Sequence, residues 1–267
     1  MRRRAGSLLI LAVISLLTAP ALLHCGGCAL AQTRAQAPQD SLRADSAARF
    51  SAGSVIIPGS LMAAGAVIHF AAHESVDVPV NNWTSTWKGD SPVLHFDDYV
   101  QFVPEAMHLG LGLLGAKSEH RFVDRGIEAV WAFGSLTLIR FGMKSLIDSP
   151  RPDGSDNRSF PSGHAGFAFA GAELVRMEYG WGWGAGAYAV ATGVSVMRLY
   201  NNEHWLSDLI FGAGTGILCA HVGGWLLGPT KRLLGIGDGR REGGDVALSA
   251  RVDPLSGAIC PTLALTF

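Results

Sequence analysis

The sequence predicts an all-α fold, a six-helix bundle with a short C-terminal β-hairpin, and three observations carry that expectation. Six long segments are apolar and helix-like. Of 267 residues, 48% are hydrophobic and 16% charged, enough to bury one large core and too apolar for a disordered chain. An apolar–polar alternation occurs at the C-terminal end, around Val246, Leu248 and Val252 and again around Leu263, Leu265 and Phe267, with "DPLSG" between as a turn. The net charge of −1 gives no electrostatic reason to expect nucleic acid as a partner.

The elements follow in order. Residues 1–31 open with three arginines, continue as an apolar run and end in Ala29-Leu30-Ala31, the pattern of a signal peptide cleaved after Ala31; an uncleaved membrane anchor is the alternative. This leader holds Cys25 and Cys28. The remaining Cys219 and Cys260 support neither a disulfide framework nor a cysteine metal site. Residues 32–53 read as a polar linker. The six helical segments are 55–72, 100–116, 127–146, 163–177, 182–198 and 208–227, with proline only near two starts, at Pro58 and Pro104. Their lengths lie between those of buried core helices and membrane spans, and Glu105, His108, Arg140, Glu173, Asp208 and His221 interrupt them. The connection 73–99, with Trp83, Trp87 and the pair Asp97-Asp98, reads as a packed surface loop, with a substrate-facing lid as the alternative. Residues 54–228 thus form one helical domain, and 229–267 a basic glycine-rich segment leading into the hairpin.

Three short stretches carry chemistry. "KSLIDSPRP" holds Lys144 at a helix end and Arg151 in the loop beyond it, and "PSGH" sets Ser162, Gly163 and His164 at a helix start. "RLYNNEHWLSD" ends one helix at Arg198 and opens the next with His204 and Asp208. A helix start leaves backbone N–H groups unpaired and carries the positive end of the dipole, so Ser162 and Gly163 suit an anion seat as well as an N-cap. Residues four apart share a helix face, so Asp208 can hold one imidazole nitrogen of His204 and leave the other to act. Phosphoryl transfer needs cations and N–H donors around the equatorial oxygens. Lys144, Arg151 and Arg198 supply the charge, Ser162 and Gly163 the neutral donors, His204 a nucleophile and His164 a proton donor. Every role has a residue, and neither a metal nor a cofactor is required.

Lys144 with Arg151-Pro152, then Pro161-Ser162-Gly163-His164, then Arg198, His204 and Asp208 resemble the three signature motifs of the type-2 phosphatidic acid phosphatase and vanadium haloperoxidase superfamily, over about residues 100–227. The resemblance implies an all-helical core and metal-independent phosphomonoester or pyrophosphate hydrolysis through a phosphohistidine on His204, with His164 protonating the leaving group. Met197 stands before Arg198 where the family usually has serine, which touches no catalytic role.

The function expected is therefore hydrolysis of a lipid phosphate by a membrane-associated enzyme. The alternatives are a soluble periplasmic acid phosphatase of broad specificity, a vanadate-dependent haloperoxidase and an inactive lipid-binding scaffold. If all six helices cross a membrane, the basic stretches "KSEHRFVDR" and "TKRLLGIGDGRR" lie on the cytoplasmic side and the motifs face the periplasm. A translocating leader leaves residue 32 outside and inverts that arrangement. Either one helix does not span, the leader does not translocate, or the protein is a periplasmic globule.

Overall fold

Leu206–Leu234, the longest helix, is the axis on which the other elements pack. The computed structural model describes residues 51–236 except 90 and 94, together with the backbone of 246–252 and 259–265. Among them are seven α-helices of eight or more residues: α1 Gly53–Ala71, α2 Val78–Lys88, α3 Val103–Gly110, α4 Phe122–Leu146, α5 Gly163–Tyr179, α6 Trp181–Tyr200 and α7 Leu206–Leu234. The fold is mostly helical, as expected, with seven helices in place of six.

The seventh helix is α2, within the stretch expected as a loop. Its sequence has no long apolar stripe, and what holds it is a narrow contact: Val80 and Thr84, one turn apart, are buried, while Trp83 and Trp87 lie ring to ring at 5.8 Å. Pro79 in its first turn costs no hydrogen bond. A π-helical turn, His73–Asp77, joins α1 to α2 and buries Asp77. The Asp77 carboxylate accepts the Ser207 N–H at 2.9 Å and the Ser207 hydroxyl at 2.6 Å, filling two donors at the start of α7. The connection 73–99 thus holds the start of α7 through Asp77, while α2 packs on α6.

The segment 100–116, expected as one helix, is broken. A single turn at Asp97–Val100 is followed by α3, and the break falls just before Pro104, whose ring cannot continue a helix from upstream. Beyond α3 the chain turns through Gly115 at φ +90°.

Helix α7 lies against α1, α4 and α5, and α5 packs on α6. The main core gathers Phe169, Tyr188, Leu209 and Ile210 with small residues such as Ala165, Ala168, Ala172 and Ala213. Small side chains allow the backbones to come close. A Cβ on Gly212 would stand 2.5 Å from the Ser162 carbonyl oxygen, so the start of α5 rests directly on the backbone of α7. That contact fixes the second motif against the third.

Residues 1–31 and the linker up to residue 50 lie outside the described residues. The expected C-terminal hairpin falls on 246–265. The backbones of Val246–Val252 and Ile259–Leu265 run antiparallel there, with Val246 opposite Leu265. Their side chains and the intervening turn lie outside the described residues, and the hairpin is not counted in the fold.

Candidate active site

All eight residues expected at the site lie at one end of the bundle, where α4 ends and α5 and α7 begin. Ser162 is the N-cap of α5, with extended backbone at ψ 120° and its hydroxyl accepting the Ala165 N–H at 3.5 Å. Its own N–H donates to the Asp208 carbonyl at 3.1 Å. Gly163 opens the helix, and the space that a side chain there would need is taken by the Arg140 guanidinium. Asn202, in the left-handed region at φ +59°, turns the chain between Arg198 and His204. Trp205 ties that turn to the first motif, its indole N–H donating to the Pro150 carbonyl at 2.7 Å.

His204 and Asp208 are both buried, and Nδ1 of His204 lies 3.3 Å from Oδ2 of Asp208. The carboxylate is itself held. It accepts the Trp205 backbone N–H at 2.9 Å and a short hydrogen bond from Ser159, while His69 on α1 stands 3.8 Å from its other oxygen. With Nδ1 turned to Asp208, Nε2 is the nitrogen that can face a reacting phosphorus. Burial, and then the charges of Arg151, Arg198 and Lys144, push the His204 imidazole well below its usual pKa, so it stands neutral with a free electron pair at neutral pH.

The three cations surround this pair. The Lys144 ammonium donates to the carbonyls of Arg158 and Ser159. Burial, with Arg151 and Arg140 nearby, lowers its pKa to about 8. Arg151 donates to Asp156 at 2.9 Å, and both Arg151 and Arg198 reach the Glu203 carboxylate, the first at 3.5 Å. Arg198 is 3% exposed and also pairs with Asp97 at 2.9 Å. Two guanidinium groups thus converge on one carboxylate, as they would on the oxygens of a bound phosphate. Nε2 of His164 lies 2.9 Å from Oδ1 of Asp98. Burial, followed by Arg198, lowers the pKa of His164, and Asp98 pulls it back.

Six residues join the site that the sequence reading did not place there: His69, Asp97, Asp98, Arg140, Ser159 and Glu203. Asp97 and Asp98 carried a signal, an acidic pair in a connection longer than a link needs. Glu203 sits beside His204 in the third motif but reads as a surface charge. His69 and Ser159 carry none, since each is brought in only by the packing of α1 and of the 149–159 loop.

Residues 142–228 match the family model described as the PAP2 superfamily. Over 79 residues, 28% of this chain, the sequence is 44% identical to the lipid A 1-phosphatase of Porphyromonas gingivalis, and the match covers 18% of that protein's length. Among solved structures, Aquifex aeolicus LpxE is similar at 20% identity and a TM-score of 0.44, over 56% of this chain and 94% of that one. A transmembrane PAP2-type phosphatidylglycerolphosphate phosphatase from Bacillus subtilis is similar at 20% identity and a TM-score of 0.45, over 68% of this chain and 98% of that one. The matched segment runs from just before Lys144 to beyond Asp208 and so contains every residue of the three motifs, and over this stretch the chain is similar to the PAP2 superfamily.

Proposed function

We propose that the protein is a phosphatase that hydrolyses phosphomonoesters or pyrophosphates of membrane lipids, independently of metal, through a phosphohistidine on His204. The observation that carries the reading is the buried His204–Asp208 pair ringed by Lys144, Arg151 and Arg198. Phosphate enters against the two guanidinium groups, displacing Glu203, and the N–H groups at the start of α5 add neutral donors. Nε2 of His204 forms a bond to phosphorus as the ester P–O bond breaks, and Asp208 stabilises the resulting imidazolium. His164 gives its Nε2 proton to the leaving oxygen, which takes the place of Asp98. Water then gives a proton back to His164 and attacks phosphorus as the P–Nε2 bond breaks, so that inorganic phosphate departs and His204 returns to its neutral form.

The lipid half of the reading rests on the surface and on the relative. Helices α1 and α7 are long and apolar enough to cross a membrane. Ile56 and Phe70 on α1 and Leu138 and Phe141 on α4 are more than 60% exposed, an apolar exterior that suits lipid. The relative's name specifies a lipid phosphate. The site is assigned to the periplasmic face of the inner membrane. His69 beside Asp208 sets the C-terminal end of α1 at the catalytic end. A spanning α1 with a periplasmic site therefore needs Gly53 on the cytoplasmic side, which requires that residues 1–31 do not translocate the chain. The test is phosphate release by the detergent-solubilised protein from lipid A, phosphatidic acid and a water-soluble phosphomonoester, with chelator present and with or without vanadate. Chelator-resistant release that favours the lipids and is inhibited by vanadate supports the reading. Release only from the soluble ester favours an acid phosphatase, and vanadate-dependent peroxidation a haloperoxidase.

A further inference from the structure

At the end of the bundle away from His204, four side chains from four parts of the chain converge. His120, in the connection before α4, donates its backbone N–H to Oε1 of Glu178 at 2.7 Å and places its ring Nδ1 2.7 Å from Oε2. Glu128 on α4 joins them, with one ligand-type atom from each of the three within 4.8 Å of the others. His108 on α3 points in from the other side. It is fully buried, neither ring nitrogen has a hydrogen-bond partner, and its Nε2 stands 3.9 Å from the Glu128 carboxylate. Its Nδ1 faces the Glu105 carboxylate at 3.7 Å, and a buried Nε2 left without a hydrogen bond is costly in a folded protein and calls for an occupant.

We infer that His108, His120, Glu128 and Glu178 bind one divalent transition-metal ion of the zinc class. Two neutral imidazoles and two carboxylates match its charge. Ligand atoms about 2.0–2.2 Å from zinc stand about 3.3 Å apart in a tetrahedron. The spacings seen, 2.7 Å between His120 and Glu178 and 3.9 Å between His108 and Glu128, lie either side of that value. Glu128 and Lys144 are sixteen residues apart on α4, about 24 Å at helical rise, so the ion has no part in phosphoryl transfer. It ties α3, the α3–α4 connection and the C-terminal end of α5 into one unit.

The experiment uses the full chain, stripped with chelator and titrated with Zn2+ alone. The expected result is one Zn2+ per chain, a higher unfolding temperature on loading, and visible absorption bands of tetrahedral ligation when Co2+ replaces it. H120Q, at a partly exposed position, and E128Q should each weaken Zn2+ binding at least tenfold and lose the thermal shift. A second group, Asp97, Asp98 and His164, also brings three ligand atoms together, so D98N is the control and should bind Zn2+ as the parent does. No stoichiometric Zn2+ in the folded parent, or binding lost in D98N and kept in H120Q, overturns the inference. Phosphatase activity does not enter these readouts, so either proposal can fail without the other.

Discussion

Nε2 of His164 and Oδ1 of Asp98 are 2.9 Å apart, joining the start of α5 to a single helical turn 66 residues upstream. Burial and Arg198 push the imidazole toward its neutral form, and the Asp98 carboxylate opposes them. A proton donor works only while protonated, so the rate on an alkyl phosphate falls as pH rises through the His164 pKa. D98N removes the group that raises that pKa and should move the alkaline limb of kcat/KM to lower pH. A limb that stays in place would leave Asp98 as packing only.

The leaving group separates the roles of the two histidines. H164A should lose about 10²–10⁴-fold on an alkyl phosphate, the usual contribution of a positioned acid, and far less on a nitrophenyl phosphate, whose leaving oxygen is already a stable anion. Equal losses on both substrates would make His164 a phosphate ligand and send the search for the acid elsewhere.

Much of this site was legible in the sequence because helix ends impose spacing. His204 and Asp208 are four apart in a helical start, and Ser162 precedes a run of small residues that only a tightly packed helix tolerates, so their proximity follows from local geometry. Lys144, Arg151 and Arg198 could be grouped by chemistry, although only folding shows two of them meeting on Glu203. Helix α2 is not legible in the sequence because its burial rests on Val80 and Thr84 and leaves no stripe. His69 and Ser159 are hidden for a different reason: nothing near either in sequence indicates Asp208, which each reaches across the fold.

Lys144 sets a second pH dependence, visible in binding. Its pKa of about 8 means that the ammonium loses its proton as pH rises through that value. The affinity for inorganic phosphate as a competitive inhibitor should therefore weaken about tenfold between pH 7 and 9.5. K144R keeps its charge over the whole range and should abolish that limb. An unchanged limb in K144R would assign it to another group.

Glu203 occupies the two guanidinium groups proposed to take the phosphate. E203Q removes a competing anion, and the inhibition constants for phosphate and vanadate should fall about fivefold, close to the ~1 kcal/mol of a partly exposed ion pair. Weaker inhibition in E203Q would show that Glu203 positions the arginines instead.

The seat of α5 on α7 depends on Gly212. G212A sets a methyl 2.5 Å from the Ser162 carbonyl and should cost about 1–3 kcal/mol of stability while lowering activity through the displaced helix start. G182A, in open space in the first turn of α6, should be neutral or slightly stabilising. Thermal unfolding of the two variants in the same detergent checks both, and equal unfolding temperatures would contradict the close approach.

The central claim is a covalent bond between phosphorus and His204. Rapid acid-minimised quench of the protein with a radiolabelled lipid phosphate, followed by peptide mapping, measures it directly. The account predicts an acid-labile, base-stable phosphoryl group on His204, absent in H204A, whose turnover falls by at least about 10³-fold. The same group should form more slowly by about 10²–10⁴-fold in D208N, where the oriented charge is gone. Label on another residue, or full turnover by a folded H204A, would contradict the account.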